Sequence, residues 1–303
     1  MLWRIEKNYR NDNKLRHSFN ELAKETFGLD FEDWYQNGFW GDNYNPYSVV
    51  VDGKVVANVS VNRTDMLLTL DGKSERSSDT KTDGNVRHFL QLGTVMTDKV
   101  YRKQGFIRKI MEEIEKDYSG KADGIYLFAN DSVLDFYPKF GFESSAEYQY
   151  SRKVQNTEGC RLEAVLMDNA AAWKKLQAVM ERNVFRGKFD MINNDNLVMF
   201  YVTKFMQENV FYHKETDTYV IAEIKNETLL LHNVFSGTVR DLDAVIGMFG
   251  KNIREVTLGF VPLETEKYEA EESHEKDCTF FVKGAEMKIV EKEKLRVPLL
   301  ARA

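Results

Sequence analysis

A basic, glycine-containing loop between an apolar strand and an amphipathic helix is the part of this sequence best suited to chemistry. The loop is Arg102-Lys103-Gln104-Gly105, and Arg108 adds positive charge one turn later. The first turn of a helix has unpaired backbone N–H groups and the positive end of the helix dipole, so it attracts phosphate groups. Gly105 removes a side chain where a phosphate would approach the backbone. The loop predicts a phosphate-binding site, although R-x-x-G alone is more often an ordinary surface turn.

A second polar and aromatic group follows. Asn130 closes an apolar segment, Asp131 or Ser132 can cap a short helix, and Tyr137 precedes Gly141-Phe142. A phenol is neutral at working pH and can donate a proton. The alternative for Tyr137 is a core residue on one face of its helix.

The elements that position these residues follow from periodicity. Phe89 to Thr97 is apolar and β-branched, which predicts a buried strand. From Phe106, apolar residues recur at helical spacing and predict an amphipathic helix up to Tyr118. Gly124 to Asn130 predicts a second buried strand, so the two strands and the helix form a right-handed crossover.

Residues 87 to 142 resemble the GNAT superfamily of acyl-CoA-dependent N-acyltransferases. In that superfamily an R/Q-x-x-G-x-G/A loop binds the CoA pyrophosphate, and a tyrosine on the later helix faces the CoA sulfur. This sequence departs from the pattern at Ile107, where a small residue is usual, and at Lys99, where proline is common. The resemblance implies that acetyl-CoA is the cosubstrate. It also implies these cofactor-binding residues: Val95, Met96, Thr97, Arg102, Lys103, Gln104, Gly105, Phe106, Ile107, Arg108 and Asn130.

The resemblance further implies a mechanism. A primary amine attacks the thioester directly, and Tyr137 is the general acid for the CoA thiolate. The edge of the strand at Val95 to Thr97 pairs with pantetheine, and the N–H of Val95 or Met96 polarises the carbonyl. The sequence therefore predicts an acetyl-CoA-dependent N-acetyltransferase.

No residue is marked as the general base. His88, Asp65, Glu25 and Asp33 are candidates without distinctive spacing, so a water relay is the default. The larger enhanced-intracellular-survival-type aminoglycoside acetyltransferases use a terminal carboxylate. This chain is too short for their third, lipid-carrier-like domain, so that role is not transferred to Ala303.

The composition narrows the classes of partner. With 303 residues and a net charge of −6, the chain lacks the basic stripe of a nucleic-acid binder. No apolar run predicts a membrane span or a signal peptide. Cys160 and Cys278 have no metal-binding spacing, which suits a cytoplasmic protein with no metal. Homo-oligomer formation is left open.

The segment before the motif predicts an amphipathic helix over Asn11 to Phe27, with Phe27 facing inward. Phe31 to Tyr44 is rich in aromatic and acidic residues. A packed core lid is the favoured interpretation, and a wall that binds the amine substrate is the alternative. The polar loop Asp71 to Asn85 is interpreted as a surface loop that could also border the acceptor site.

The predicted fold class is mixed α/β (α+β), with two tandem GNAT-like domains built on mostly antiparallel sheets. Residues 1–152 form the domain with the acetyl-CoA site, and Phe142 to Lys153 supplies its last strands. Residues 153–303 repeat the order of elements. There the loop Ser236 to Arg240 lacks the basic pattern, so this half is interpreted as degenerate, structural or substrate-shaping.

Two alternatives stay open. A non-catalytic CoA-binding sensor or scaffold could use the same fold, since fold does not fix function. The acceptor could be a protein lysine rather than a small-molecule amine.

Overall fold

The computed structural model describes residues 2–69 and 86–303. Two sheets with flanking helices form a mixed α/β fold, as the sequence predicts. The strands in the described residues are β1 (Trp3–Lys7), β2 (Tyr44–Val51), β3 (Lys54–Leu68), β4 (Val86–Thr97), β5 (Gly124–Ala129), β6 (Glu143–Ser144), β7 (Tyr148–Lys153), β8 (Glu163–Val165), β9 (Phe189–Ile192), β10 (Val210–His213), β11 (Thr218–Lys225), β12 (Thr228–Ser236), β13 (Glu255–Leu258), β14 (Glu269–Glu272) and β15 (Thr279–Lys283).

The helices begin and end at recognisable residues. The side chain of Asp12 accepts the N–H groups of Lys14 and Leu15 at the start of the first helix, and Gly28 ends it with φ of 70°. The α-helices of the described chain are α1 (Asn13–Phe27), α2 (Glu32–Gln36), α3 (Phe106–Tyr118), α4 (Ala170–Met180), α5 (Asp195–Lys204), α6 (Leu242–Met248) and α7 (Ile289–Lys292).

The first sheet has the order β1-β2-β3-β4-β5-β15-β6, and β9 pairs with β3. A tight hairpin joins β2 and β3, with φ of 49° at Asp52 and 81° at Gly53. Strands β4 and β5 are parallel and are joined by α3, which buries Phe106, Ile110 and Ile114. This is the predicted crossover.

The second sheet has the order β14-β7-β13-β12-β11-β10-β8. Strands β12 and β13 are parallel, and α6 connects them. The second sheet therefore repeats the strand–helix–strand crossover of the first.

Two strands belong to a different sheet from the one that their position in the sequence suggests. Of the predicted last strands of the first domain, β6 does join the first sheet, but β7 pairs with β13 and β14 of the second. In exchange, β15 pairs with β5 of the first sheet. A prediction that placed all of Phe142 to Lys153 in the first sheet is wrong, because side-chain alternation specifies the faces of a strand but not its neighbour. The expected boundary at residue 152 does not separate the two sheets.

The aromatic segment after α1 packs as core. Phe31, Trp34 and Trp40 are each at most 5% exposed. The ring of Phe31 stacks on Phe200 of α5 at a centroid distance of 5.3 Å. The segment thus joins the two halves rather than lining an open wall.

Two other expectations have different outcomes. Phe27, predicted to face inward, is 42% exposed; it is the last residue of α1, where the helix no longer packs along its length. The predicted loop Asp71 to Asn85 lies outside the described residues. No helix in the described ranges is long and apolar enough to cross a bilayer.

Candidate active site

The two parallel strands of the first sheet separate halfway along their length. Strands β4 and β5 pair only over Phe89–Leu92 and Gly124–Leu127. Beyond this point β4 continues to Thr97 and β5 to Ala129 without pairing with each other. The separation leaves backbone groups of β4 free to pair with an extended ligand.

A β-bulge bends β4 where it leaves β5. Asn58 of β3 faces Met96, whereas Ser60 faces Gly93, so Thr94 and Val95 together oppose one residue. Thr94 has φ of 43°, which is rare for a β-branched residue. Strained backbone of this kind persists only when its surroundings hold it in place.

A buried polar network holds the bulge. The side-chain amide of Asn58 donates to the carbonyl oxygen of Thr94 at 2.9 Å and to its hydroxyl at 3.1 Å. The Thr94 hydroxyl also bonds to Ser60 at 2.6 Å and to Tyr44 at 2.9 Å. Asn58 and Ser60 are fully buried and Thr94 is half-buried, so these bonds tie the bulge to the core.

Replacing Asn58 with leucine should therefore destabilise the fold. The change leaves the half-buried Thr94 carbonyl without its side-chain donor and removes a buried amide from the network, and we expect a loss of about 1–3 kcal/mol in the free energy of unfolding. Asn45→Leu on β2 is the control, since within residues 2–69 and 86–303 the Asn45 amide donates only to the Asp42 carbonyl, in an exposed bond; we expect a change within about 0.5 kcal/mol. Urea denaturation measures both, and equal values would contradict the role given to Asn58.

The N-terminus of α3 has the properties expected of an anion site. Gly105 precedes the helix with φ of 77°, and no side chain caps the first turn. The first turn has no acidic residue. Arg102 donates to the Thr97 carbonyl at 3.3 Å, and the guanidinium of Arg108 lies 5.1 Å from the ring centre of Phe140. Two cations are thus held beside unpaired helix N–H groups.

Tyr137 is 5% exposed, and its ring contacts Phe136, Phe142 and Phe281 at centroid distances of 5.3, 6.2 and 5.8 Å. Burial raises the pKa of its phenol to about 12. No described residue forms a hydrogen bond with this hydroxyl.

The predicted short helix around Tyr137 is not α-helical. Two 3₁₀ turns, Asp131–Val133 and Tyr137–Phe140, take its place. Pro138 lies in the first turn of the second one, and Gly141 ends it at φ of 80°, so no longer helix forms.

One cleft of about 830 Å³ brings the predicted residues together. We call it the cofactor cleft. It lies at the point where β4 and β5 separate, and α3 and Tyr137 border it. Every site residue predicted from the sequence lines it: Val95, Met96, Thr97, Arg102, Lys103, Gln104, Gly105, Phe106, Ile107, Arg108, Asn130 and Tyr137.

Other lining residues were not predicted. Phe27 lines the cleft from the end of α1, and Phe128 lines it from β5. Ala303, excluded from the site on chain length, also lies there: the amide side chain of Gln91 bonds to its N–H at 2.8 Å and to its carbonyl at 3.0 Å. A Cβ on Gly93 would lie 2.7 Å from that carbonyl oxygen, so glycine permits this close approach. Nothing in the sequence near residue 303 signals the contact.

None of the four base candidates lines the cofactor cleft. His88 and Asp65 bond to each other at 2.8 Å on an exposed part of β3 and β4. Asp33 lines a separate, smaller cavity beside Trp34. In the described residues the cleft has no acidic or histidine side chain.

Comparison with known proteins shows which family the first half of the chain resembles. Residues 9–142 match the model of the Acetyltransferase (GNAT) family. This part of the chain is a GNAT domain. It is the domain of an N-acetyltransferase, and it contains α3, the bulge and Tyr137. A comparison with curated protein sequences found no significant match.

Solved structures share the fold over nearly the whole chain. A conserved Enterococcus faecalis V583 protein of unknown function, a probable N-acyltransferase by name, is 15% identical with a TM-score of 0.58, covering 96% of this chain and 75% of that one. Eis1 from Mycobacterium abscessus is 14% identical, with a TM-score of 0.52 over 92% and 73% of the two chains. A GCN5-related N-acetyltransferase from Kribbella flavida is 15% identical, with a TM-score of 0.50 over 93% and 70%. Over most of its described length the chain therefore has a GNAT-type fold similar to that of Eis1.

Proposed function

We propose that this chain transfers an acetyl group from acetyl-CoA to a primary amine by direct attack. The observation that carries the proposal is the cofactor cleft, where a cationic helix N-terminus, an unpaired strand edge and a buried phenol meet. When bound, acetyl-CoA supplies a thioester whose carbonyl carbon accepts the amine.

The residues of the cleft fit the parts of this cosubstrate. The free N–H groups at the start of α3, with Arg102, Lys103 and Arg108, suit a pyrophosphate. The unpaired edge of β4 at Val95–Thr97 suits an extended amide chain. A backbone N–H of Val95 or Met96 donates to the carbonyl oxygen as negative charge develops on it.

Tyr137 acts as the general acid. The amine nitrogen bonds to the carbonyl carbon, the carbon–sulfur bond breaks, and the phenol O–H protonates the departing sulfur. The attacking ammonium loses its proton to water, because no carboxylate or imidazole side chain of the described residues lines the cleft. Proton transfer of this kind contributes about 10²–10⁴-fold to turnover.

The pH dependence follows from the raised pKa of Tyr137. The acid form is the neutral phenol, which persists at pH values below its pKa of about 12. We therefore expect no loss of kcat from Tyr137 ionisation up to about pH 10, where a tyrosine of ordinary pKa would be half ionised. Steady-state kcat against pH tests this. A decline with an apparent pKa near 10 that is absent in Tyr137→Phe would contradict the raised pKa of Tyr137.

The second half is proposed to be a degenerate copy that shapes the site. Where β12 ends its pairing with β13, the N–H of Leu299 donates to the Gly259 carbonyl at 2.8 Å. The chain's own segment thus lies in the position that the open cleft occupies in the first sheet.

Calorimetric titration with acetyl-CoA, followed by thiol release against a panel of primary amines, tests the proposal. We expect binding, and thiol release with some amines. Binding without release from any amine would favour the second candidate, a CoA-binding sensor or scaffold. Absence of binding would overturn both.

A further inference from the structure

A second cavity, of about 520 Å³, adjoins the cofactor cleft. Phe128 and Ala303 line both spaces, so the two cavities meet at these residues. We call it the side cavity. Its walls come from both halves of the chain, and its volume is that of a small-molecule site.

The apolar part of the side cavity is aromatic. Phe128 of β5, with Tyr201 and Phe205 at the end of α5, lines it. Phe205 is 52% exposed, although its ring contacts Tyr201 at a centroid distance of 6.2 Å. Ring faces attract both apolar bodies and cations.

The polar part presents hydrogen-bond acceptors. His232 is 7% exposed, and its Nε2 lies 2.8 Å from Oε1 of Glu223. Since a carboxylate only accepts, Nε2 carries the proton and Nδ1 is an acceptor. Nδ1 is buried and has no partner among the described residues. Burial lowers the pKa of this imidazole, which keeps the ring neutral.

Among the described charged groups beside the side cavity, one carboxylate has no cationic partner. Glu147 and Glu275 are paired with Arg296 and Arg302, two acids with two cations. In residues 2–69 and 86–303, Glu223 is paired only with the neutral His232. The uncompensated charge favours a cation.

We propose that the side cavity binds the body of the acceptor: a small primary amine with an apolar or aromatic frame and a second N–H or O–H donor. The frame packs on Phe128, Tyr201 and Phe205, and the second donor bonds to the carboxylate of Glu223, which the Nε2–H of His232 holds in place. The reacting amine then points past Ala303 into the cofactor cleft. This inference rests on the proposed function, and it names the acceptor class.

A binding test can use the reactivity of the two cysteines. Such a test does not depend on catalytic turnover. Cys278 lines the side cavity and Cys160 does not. In a Cys160→Ser protein, iodoacetamide modification of Cys278 is followed by intact mass. The small-amine probes are tyramine, 2-phenylethylamine and 1,4-diaminobutane. The probe for a protein acceptor is an N-terminally acetylated peptide that contains a single lysine. We expect tyramine or the diamine to slow modification at least about fivefold, and 2-phenylethylamine, which lacks the second donor, to protect less.

Variants locate the effect. Glu223→Gln keeps the shape and removes the charge, and His232→Leu removes the N–H that holds the Glu223 carboxylate. Each should weaken protection and raise the KM of the protecting amine about tenfold, while acetyl-CoA affinity stays unchanged. Glu271→Gln, an exposed acid on β14 outside the cavity, is the control and should change nothing.

The outcomes separate this inference from the proposed function. Thiol release with wild-type KM in both variants, and no protection by any small amine, would overturn the side-cavity proposal and leave the enzyme. Protection that both variants lose, without thiol release from any amine, would support the cavity and overturn the enzyme. Protection by the lysine peptide alone would assign the surface to a protein acceptor and refute the small-amine class.

Discussion

Tyr137→Phe is expected to lower kcat about 10²–10³-fold while acetyl-CoA affinity stays within about twofold. The ring packs on Phe136, Phe142 and Phe281, and phenylalanine keeps those contacts. Only the proton donor is lost, so the effect falls on the chemical step. Single-turnover thiol release and calorimetric titration measure the two quantities separately.

Tyr101→Phe is the matched control for this prediction. Tyr101 lines the same cleft but lies near the basic loop rather than beside Tyr137. We expect its kcat to stay within about threefold of wild type. Full activity in Tyr137→Phe would refute the general-acid role, and equal losses in both variants would show a general effect of removing a phenol from the cleft.

Gly105→Asp should reduce acetyl-CoA affinity by a factor of roughly 10–1,000. The substitution places a negative charge at the positive end of α3, where two unit charges about 4 Å apart interact by about 4 kcal/mol at an effective dielectric constant of 20. Apart from its chain neighbours, no atom of the described residues lies within 4 Å of a Cβ at this position, so the loss does not come from a clash inside the protein.

Gly105→Asn separates charge from backbone strain. Asparagine has nearly the same shape as aspartate and tolerates the left-handed backbone better than most residues. We expect Gly105→Asn to retain most of the affinity that Gly105→Asp loses, and thermal melting to show similar stability for the two variants. Equal acetyl-CoA affinities of the two variants by calorimetry would refute the assignment of this helix end to the phosphates.

The cofactor cleft was predictable because its residues are close in sequence. The step from β4 through Gly105 into α3 is local chemistry, and the resemblance placed Tyr137 beside it. Even there, the pattern did not show that Pro138 limits the Tyr137 segment to a 3₁₀ turn, or that Thr94 adopts φ of 43°. A bulge depends on the register of the partner strand, which one strand's pattern does not contain.

The rest of the site depends on contacts between distant residues. Gln91 bonds to Ala303, and Phe128 shares a cavity with His232, although neither pair is near in sequence. A glutamine inside a strand and a lone histidine carry no signal of such partners. The aromatic segment at Phe31 was better predicted, since the density of large rings alone favours burial, but its partner Phe200 was not.

The exchange of β7 and β15 has a consequence for how the protein is made. On the ribosome β5 emerges long before β15, its neighbour in the finished sheet. Until residues 279–283 are synthesised, that edge of β5 has unpaired backbone groups, which invite pairing with other chains. The usual order, in which the N-terminal unit folds first and alone, does not apply. The nascent first half must therefore stay unaggregated until nearly the whole chain is complete, and splitting the gene at residue 152 would leave both products with an open edge.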